Sequence, residues 1–264
     1  MDRKIDPLFA VLESLPQDQK LLLLLDYDGT LVEIAPRPEL ARPPQELLHL
    51  LDCLVSLPGL AVVVVSGRGL GDLQDFLPIP GLNYLGSHGA EGLMVGKLWT
   101  PKADTGSRAE QEELRRQLTD RLAHVKGWWV ETKPLGFALH YRQAGLEEEQ
   151  KIVGVLKPWL DEVARAGRHQ ILQGKKVMEI LPVGVSKGAA IQDILLFPGF
   201  GGHFPVYLGD DLTDESAFQV LQGRGLTVKV GVGQAVTAAS YSLPHPKDVR
   251  QFLFLLASRL EDRG

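Results

Sequence analysis

A run of five leucines, Leu21 to Leu25, ends directly at two aspartates, Asp26 and Asp28, that are separated by one residue. A short segment that is apolar on both faces is typical of a strand buried inside a sheet with helices on both sides. Two carboxylates at the end of such a strand would repel each other unless a cation or a proton lies between them. The feature therefore predicts a buried strand that holds a charged site at its carboxyl end.

Other short apolar runs follow the same pattern, at residues 61–65, 82–85, 204–209 and 225–231. The runs at 61–65 and 82–85 are each followed by a polar or glycine residue, and helix-compatible sequence separates the first runs. This alternation predicts an α/β fold with an open, Rossmann-like parallel sheet. Ligands of such sheets bind beyond the carboxyl ends of the strands, which is where the aspartates fall.

The middle of the chain has a different pattern, in which a charged helix, a hairpin, a second helix and a second hairpin follow one another. This order is typical of an α+β unit and not of a parallel sheet. We therefore predict a core domain of residues 1–95 and 183–264, interrupted by an inserted α+β domain of residues 96–182.

Composition limits the partners of the chain. Its 264 residues carry 28 basic and 33 acidic side chains, so the net charge of -5 offers no general attraction to nucleic acid or to an anionic membrane. The single cysteine, Cys53, excludes an intramolecular disulfide and favours a reducing environment. The sequence has no apolar run near the ~20 residues of a membrane helix and begins without a signal-peptide pattern. We expect a cytoplasmic monomer without nucleic-acid or membrane partners.

A second acidic group follows another apolar strand, in the sequence YLGDDLTDE of residues 207–215. Oxygen ligands without cysteine favour a hard cation, and magnesium completes its coordination with water and phosphate. Between the two acidic groups, GVSKG places Lys187 at a helix start, where the ammonium and the backbone amides both favour an anion. The two acidic strand ends and the lysine together predict a magnesium-assisted phosphoryl site.

Two ligand-binding loops are excluded by residues at positions that their motifs require. A calcium loop beginning at Asp26 would need an acidic or amide residue where Thr30 stands and a glutamate where Arg37 stands. The glycines of residues 67–71 resemble a dinucleotide-binding loop, but its third glycine falls on Asp72.

A serine esterase is a more serious alternative. Residues 184–188 also satisfy G-x-S-x-G, the nucleophile elbow of α/β-hydrolases, and Asp210 and His245 follow in the right chain order. An esterase leaves both acidic motifs without a role, so we favour the phosphoryl site.

The motifs DYDGT, VVVVSGR, GVSKG and GDDLTDE, in this order, resemble the four motifs of the haloacid dehalogenase-type phosphatases. The inserted unit is similar to the cap of that superfamily's sugar-phosphatase branch. Together with GSHGAEG, ETKPLGFALHYR and KKVMEILP, the motifs resemble the trehalose-6-phosphate phosphatase family over most of the chain. The resemblance implies hydrolysis of trehalose 6-phosphate to trehalose and phosphate, with Mg²⁺.

The resemblance also implies roles for single residues. Asp26 would be the nucleophile that forms an aspartyl-phosphate, and Asp28 the acid and base that protonates the leaving oxygen and then activates water. Ser66 and Lys187 would bind the phosphoryl group. The implied metal residues are Asp26, the Asp28 backbone carbonyl and Asp210, with Asp211 and Asp214 nearby.

The implied substrate-binding residues are Arg68, His88, Glu131, Lys133, His140, Arg142 and Glu179. Carboxylates and a lysine suit a polyol, because each forms charge-assisted hydrogen bonds to hydroxyl groups. Arg68 could instead form a structural ion pair, and His88 could simply belong to a turn that follows a strand. His140 and Arg142 lie on an alternating strand and could instead face solvent.

Two other functions stay open. A phosphatase for another glycosyl phosphate, such as mannosyl-3-phosphoglycerate or sucrose-6-phosphate, would share the catalytic motifs and differ only in the cap. Glu131, Lys133 and Glu179 favour a neutral disaccharide, because a glycerate carboxylate should attract more cationic residues. A non-catalytic sugar-phosphate sensor should have lost its nucleophile or its acid, and both aspartates are present.

Overall fold

The computed structural model describes residues 4–101, 108–174, 176–233 and 236–262. The chain divides into two compact units, one of Met1–Pro101 with Ser186–Gly264 and one of Lys102–Val185.

Within the described residues, the strands in chain order are β1 (Leu21–Leu25), β2 (Leu60–Val65), β3 (Asn83–Gly86), β4 (Glu91–Met94), β5 (Lys97–Trp99), β6 (Trp129–Lys133), β7 (Gly136–His140), β8 (His169–Gly174), β9 (Val177–Pro182), β10 (Phe204–Gly209), β11 (Leu226–Val230) and β12 (Tyr241–Leu243). The α-helices are α1 (Asp6–Glu13), α2 (Gln45–Ser56), α3 (Leu70–Phe76), α4 (Arg108–Arg121), α5 (Leu146–Arg165), α6 (Lys187–Leu195), α7 (Glu215–Leu221) and α8 (Pro246–Glu261). Short 3₁₀ helices cover Pro38–Leu40, Ser87–Gly89 and Leu212–Asp214.

The sheet of the first unit has the order β12-β11-β10-β1-β2-β3-β4-β5. From β12 to β3 neighbouring strands are parallel, and β4 and β5 continue the sheet antiparallel. In the centre of this sheet, Leu25 pairs with Leu208 of β10 and Val64 of β2. The Asp26 amide then donates to the Leu208 carbonyl at 2.9 Å. The carboxyl ends of β1 and β10 therefore lie side by side, and so do the acidic groups that follow them.

The leucine run of β1 is apolar throughout because helices cover both faces of the sheet. Leu23 and Leu25 belong to a core cluster with residues of α1, α2, α3 and α8. Leu22 and Leu24 point the other way, into a cluster with Ile191 of α6 and other residues of α6 and α7. Each buried leucine contributes about 1.5–3 kcal/mol relative to an exposed one. The strand is thereby fixed on both sides, and the aspartates at its end have a rigid base.

The second unit begins later than the predicted position 96. Residues of β5 pair with β4 in the first sheet, so they belong to the first unit, and the second unit starts at Lys102. At its other end it extends to Val185, beyond the predicted 182. There the Val183 amide donates to the Arg168 carbonyl at 2.9 Å, and the Gln170 side chain donates to the Val185 carbonyl.

An antiparallel sheet of order β6-β7-β9-β8 forms the second unit together with α4 and α5. Phe137 and Leu139 of β7 pack against Leu118 of α4 and Leu156 of α5. The predicted fold class is confirmed: a mostly parallel sheet with helices on both faces, and a separate α+β unit with an antiparallel sheet.

None of the helices among the described residues combines the length and apolar character that a segment crossing a bilayer requires.

Candidate active site

A buried lysine joins the two acidic groups of the first unit. Ser186 caps α6 by accepting a hydrogen bond from the Ala189 amide at 3.1 Å, and the helix starts with Lys187. The Lys187 Nζ donates to Oδ1 of Asp26 at 2.6 Å and to Oδ1 of Asp214 at 2.7 Å. All three side chains are buried. An ammonium is stable in such surroundings only with paired carboxylates, so Lys187 and its partners form one structural group.

Asp26, Asp210 and Asp214 form an acidic cluster whose carboxylate oxygens lie within 4.8 Å of one another. Three carboxylates and one ammonium leave a net charge of -2 when all are ionised. Among the described residues, Oδ1 of Asp210 is buried and has no hydrogen-bond partner. Oxygen donors, an excess of two negative charges and an unsatisfied carboxylate oxygen fit a hard divalent cation such as Mg²⁺.

The pKa values follow from this crowding. Burial raises the pKa of the Asp26 carboxyl well above its usual range; the Lys187 ammonium opposes this shift, and the neighbouring carboxylates of Asp214 and Asp210 add to it. For Asp210, burial and the charge of Asp214 raise the pKa to about 6. Burial alone would lower the pKa of Lys187, but Asp214 and Asp26 raise it above its ordinary value. The cluster therefore carries a cost of ionisation that a bound cation would relieve.

Gly29 makes room for Asp210. Its backbone has φ of +80°, a conformation that favours glycine, and a Cβ at this position would lie 2.0 Å from Oδ2 of Asp210. The glycine of the DYDGT motif thus allows the Asp210 carboxylate, which follows β10, to lie directly against the loop that follows β1.

Asp214 has a different environment from the other two carboxylates. Besides Lys187, it accepts a hydrogen bond from the Tyr207 hydroxyl at 2.5 Å and one from the Asp211 amide at 2.8 Å. These donors use both of its oxygens, so the contacts favour a role in orienting Lys187. Tyr207 is not among the residues predicted from the sequence, although it carries the only hydroxyl group in the buried strand FPVYLG.

Asp211 lies outside the acidic cluster. Its side chain is exposed and accepts a hydrogen bond from the Leu212 amide at 2.6 Å, at the start of the short 3₁₀ helix. The sequence placed it near the metal, and the structure shows it as a cap of the local backbone.

Asp28 faces a different cation from Asp26. Both of its oxygens accept hydrogen bonds from Arg68, from Nε at 2.6 Å and from Nη2 at 2.7 Å. The Arg68 side chain is 8% exposed and that of Asp28 is 37% exposed. The two aspartates of the DYDGT motif therefore diverge, one to Lys187 and one to Arg68.

Ser66 and His88 lie on two loops that are hydrogen-bonded to each other. The His88 amide donates to the Ser66 carbonyl at 2.9 Å, and the Ser87 amide donates to the Arg68 carbonyl at 2.7 Å. Ser87 and His88 have φ of 50° and 58°, which is unusual for residues with side chains and frequent at functional sites. A Cβ at position 67 would lie 2.7 Å from the His88 ring, so the imidazole has room only because residue 67 is a glycine.

In the second unit, Glu131 of β6 lies between His140 and Lys133 on the sheet face opposite the helices. It accepts hydrogen bonds from Nε2 of His140 at 2.8 Å and pairs with Nζ of Lys133 at 2.8 Å. Burial alone would raise the pKa of Glu131, but the bonds from His140 and Lys133 lower it to about 2. The Trp129 ring, 48% exposed, stacks on the His140 ring with 4.1 Å between centroids.

Glu179 lies on the same face of this sheet. Glu131 and Glu179 both pair with Ala138, from the two neighbouring strands, so their side chains flank a small buried residue. Arg142 differs from the prediction, because β7 ends at His140 and Arg142 lies exposed in the following turn.

A model of the trehalose-phosphatase family matches residues 24–247. The chain belongs to this family. The match includes both acidic groups, the lysine that joins them and the whole second unit, so the resemblance stated from the motifs is confirmed.

Individual members of the family are similar over most of this chain. Trehalose-6-phosphate phosphatase of Escherichia coli (strain K12) is 34% identical over 247 residues, which cover 92% of this chain and 89% of that protein. The bifunctional trehalose-6-phosphate synthase/phosphatase of Thermoproteus tenax is 37% identical over 237 residues, which cover 89% of this chain but only 32% of that longer protein. Among solved structures, the C-terminal domain of C. albicans trehalose-6-phosphate phosphatase superposes with a TM-score of 0.79 at 26% identity and covers 91% of this chain and 93% of that one.

Proposed function

We propose that this chain is a phosphatase that hydrolyses trehalose 6-phosphate to trehalose and phosphate. Membership of the trehalose-phosphatase family supports the substrate. The observation that carries the chemistry is the buried Asp26 carboxylate, bonded to Lys187 and adjacent to an acidic cluster that fits a divalent cation. A carboxylate, a cation and a metal site at one strand end are the parts that phosphoryl transfer to an aspartate requires.

In the first half-reaction, a carboxylate oxygen of Asp26 attacks phosphorus, and the bond between phosphorus and the sugar oxygen breaks. Asp28 gives a proton to that leaving oxygen, so that the sugar departs as an alcohol. Lys187 balances the charge of the Asp26 carboxylate and of the phosphoryl group, and the Ser66 hydroxyl donates a hydrogen bond to a phosphoryl oxygen.

In the second half-reaction, a water molecule attacks the phosphorus of the aspartyl-phosphate. Asp28 accepts a proton from this water, the bond between phosphorus and the Asp26 oxygen breaks, and phosphate leaves. Asp28 is then protonated and Asp26 ionised, which is the state in which the cycle began.

Asp26 and Asp210 are the side chains that we propose as metal ligands, with the Asp28 backbone carbonyl as the third protein ligand that the resemblance implies. A bound Mg²⁺ would supply positive charge to the phosphoryl oxygens and to the carboxylates around it. Asp214, whose oxygens are occupied by Lys187, Tyr207 and the Asp211 amide, would hold Lys187 in place.

The polar sheet face of the second unit supports a sugar ligand. Glu131 is held ionised by Lys133 and His140, and Glu179 adds a second carboxylate on the same face. Charged groups fixed in this way form strong hydrogen bonds to hydroxyl groups of a polyol. We propose that Glu131, Lys133 and Glu179 contact the sugar. A monomeric state, a cytoplasmic location and the absence of nucleic-acid and membrane partners remain predictions from the sequence.

Release of phosphate from a panel of sugar phosphates tests this function. The panel contains trehalose 6-phosphate, glucose 6-phosphate, sucrose 6-phosphate and mannosyl-3-phosphoglycerate, each with Mg²⁺ and with a chelator. We expect preference for trehalose 6-phosphate, dependent on Mg²⁺ and lost in Asp26→Asn. Asp211→Asn is the matched control, because it makes the same chemical change at an exposed carboxylate outside the cluster.

The other outcomes have distinct meanings. Turnover of a different sugar phosphate that depends on Asp26 would keep the chemistry and refute the substrate. No turnover that depends on Asp26 on any member of the panel would refute the proposed enzyme and favour a sugar-phosphate sensor or an esterase.

A further inference from the structure

Arg68 is held from several directions in the first unit. Its Nη2 donates to the Pro38 carbonyl at 2.8 Å, in addition to the two hydrogen bonds to Asp28. Its guanidinium lies over the rings of Tyr27 and Phe76, at 5.2 and 4.8 Å from their centroids. An arginine that stacks on two aromatic rings and binds a backbone carbonyl has little freedom to move. Arg68 is therefore the fixed member of its pair with Asp28.

Asp28 depends on Arg68 for its orientation. The Asp28 side chain is 37% exposed, so packing restricts it less than it restricts Asp26. Both oxygens of Asp28 accept from the planar guanidinium, and such a bidentate contact fixes the position and the plane of the carboxylate together.

The same contacts make Arg68 a poor candidate for a substrate ligand. Its Nε and Nη2 donate to Asp28 and Pro38, and the side chain is 8% exposed. A substrate oxygen that approached Nε or Nη2 would have to displace the carboxylate or the carbonyl already bound there.

We propose that Arg68 is a positioning residue, which orients the ionised Asp28 carboxylate to accept a proton from the attacking water in the second half-reaction. The bidentate pair engages both oxygens of Asp28, so the guanidinium fixes the plane in which the carboxylate can accept a proton. In the first half-reaction, Asp28 has to turn one oxygen from Arg68 to the leaving sugar. This inference rests on the proposed function, in which Asp28 exchanges both protons.

Burst kinetics with p-nitrophenyl phosphate test the inference. Its leaving group departs without a proton, so the first half-reaction does not need Asp28 as an acid. In Arg68→Gln we expect a burst of one nitrophenol per active site, followed by a steady state lower by on the order of 100-fold. Intact-mass spectrometry of the quenched reaction should show a phosphorylated protein that is lost in Arg68→Gln/Asp26→Asn.

A double-mutant cycle identifies the residue through which Arg68 acts. If it acts through Asp28, Arg68→Gln should lower the steady-state rate of Asp28→Asn by no more than about 2-fold, because interacting residues are not additive. Arg68→Lys keeps the positive charge but cannot donate to both oxygens of Asp28 in one plane, so its steady-state rate should lie between those of the wild type and Arg68→Gln. Arg42→Gln is the matched control, since Arg42 also lies over the Phe76 ring, at 4.7 Å, and is not paired with Asp28.

Several results would overturn the inference. A higher KM in Arg68→Gln without a burst would make Arg68 a substrate ligand, and independent, multiplicative losses in the double variant would exclude action through Asp28. If a thermal unfolding scan shows that Arg68→Gln is not folded, the burst experiment is repeated with Arg68→Lys. The absence of a burst in Arg68→Lys would then show that the inference is wrong. The test needs turnover of p-nitrophenyl phosphate only, so it can succeed even if trehalose 6-phosphate is not the substrate.

Discussion

Replacing Asp210 with asparagine should change two properties of the protein in opposite directions. Asp210 is the member of the acidic cluster that has a buried oxygen without a hydrogen-bond partner among the described residues. Its negative charge destabilises the folded protein when no cation is bound, and it contributes to the binding of a cation. Asp210→Asn should therefore stabilise the metal-free protein and weaken its response to Mg²⁺.

The pKa of Asp210 gives the size of the first effect. Folding raises it from the ordinary 3.8 to about 6, so the folded protein binds a proton more tightly than the unfolded chain. Stability therefore falls as the pH rises from about 4 to about 6, and the loss is complete above that range. A difference of about two pKa units, at 1.36 kcal/mol each, amounts to at most about 3 kcal/mol at neutral pH. For a unit of this size, that corresponds to about 6–12 °C in Tm.

Thermal unfolding with a chelator and with excess Mg²⁺ measures both effects. In the chelator, Asp210→Asn should unfold at a higher temperature than the wild type at pH 7.5 and at nearly the same temperature at pH 4. Mg²⁺ at 100 times its Kd should stabilise the wild type by about 2.7 kcal/mol, and the variant much less. Asp211→Asn is the control with the same change of charge, and it should leave the Mg²⁺ response intact.

Two results would refute this reasoning. An unchanged or lower Tm of Asp210→Asn in the chelator would mean that the charge of Asp210 is not unfavourable in the folded protein. An undiminished Mg²⁺ response would mean that the cation binds elsewhere.

Other variants test the remaining contacts. Lys187→Met leaves its two carboxylate partners buried without an ammonium and should lower the free energy of unfolding by about 3–5 kcal/mol, measured by urea unfolding in a chelator; a loss below about 1 kcal/mol would contradict the buried pairing. Gly29→Ala places a Cβ 2.0 Å from Oδ2 of Asp210 at φ of +80°, so the Mg²⁺-induced rise in Tm should disappear while Gly71→Ala, which has open space, keeps it. Glu131 has a pKa of about 2 against an ordinary 4.5, so its ion pairs stabilise the fold above pH 4.5 and are lost as the pH falls towards 2. Discounted for partial exposure, this contribution is about 1–2 kcal/mol, and the acid-induced loss of stability should be smaller in Glu131→Gln.

The sequence predicted those parts of the fold that have a strong local signal. The leucine run of β1 and the alternating strands of the second unit appear at the expected positions, because burial on two faces or on one face leaves a distinct pattern. The short hairpin of β4 and β5 was missed. Its burial pattern is mixed, and its pairing depends on β3, not on its own residues.

The sequence predicted which residues form the candidate site but not which of them are hydrogen-bonded to each other. Lys187 and the acidic groups were selected from their positions at helix starts and strand ends. The bridge from Lys187 to Asp26 and Asp214 joins residues far apart in the chain, and the parallel register of β1 and β10 places the two acidic groups side by side. The pair of Arg68 with Asp28 has no local signal either, because it depends on the reach of one side chain between two loops.

The divergence of Asp26 and Asp28 explains how two carboxylates can follow the leucine run without repelling each other. Two carboxylates in the same environment at a strand end would repel each other and could not take different chemical roles. Here the rigid strand turns Asp26 inwards to Lys187 and the acidic cluster, while Asp28 faces Arg68 at a more exposed position. Two carboxylates in unlike environments can take unlike roles, one as a nucleophile beside a buried cation and one as a group that exchanges a proton with solvent and substrate. The pattern D-x-D then has a physical reason: two carboxylates that follow one rigid strand can be held by two different cations.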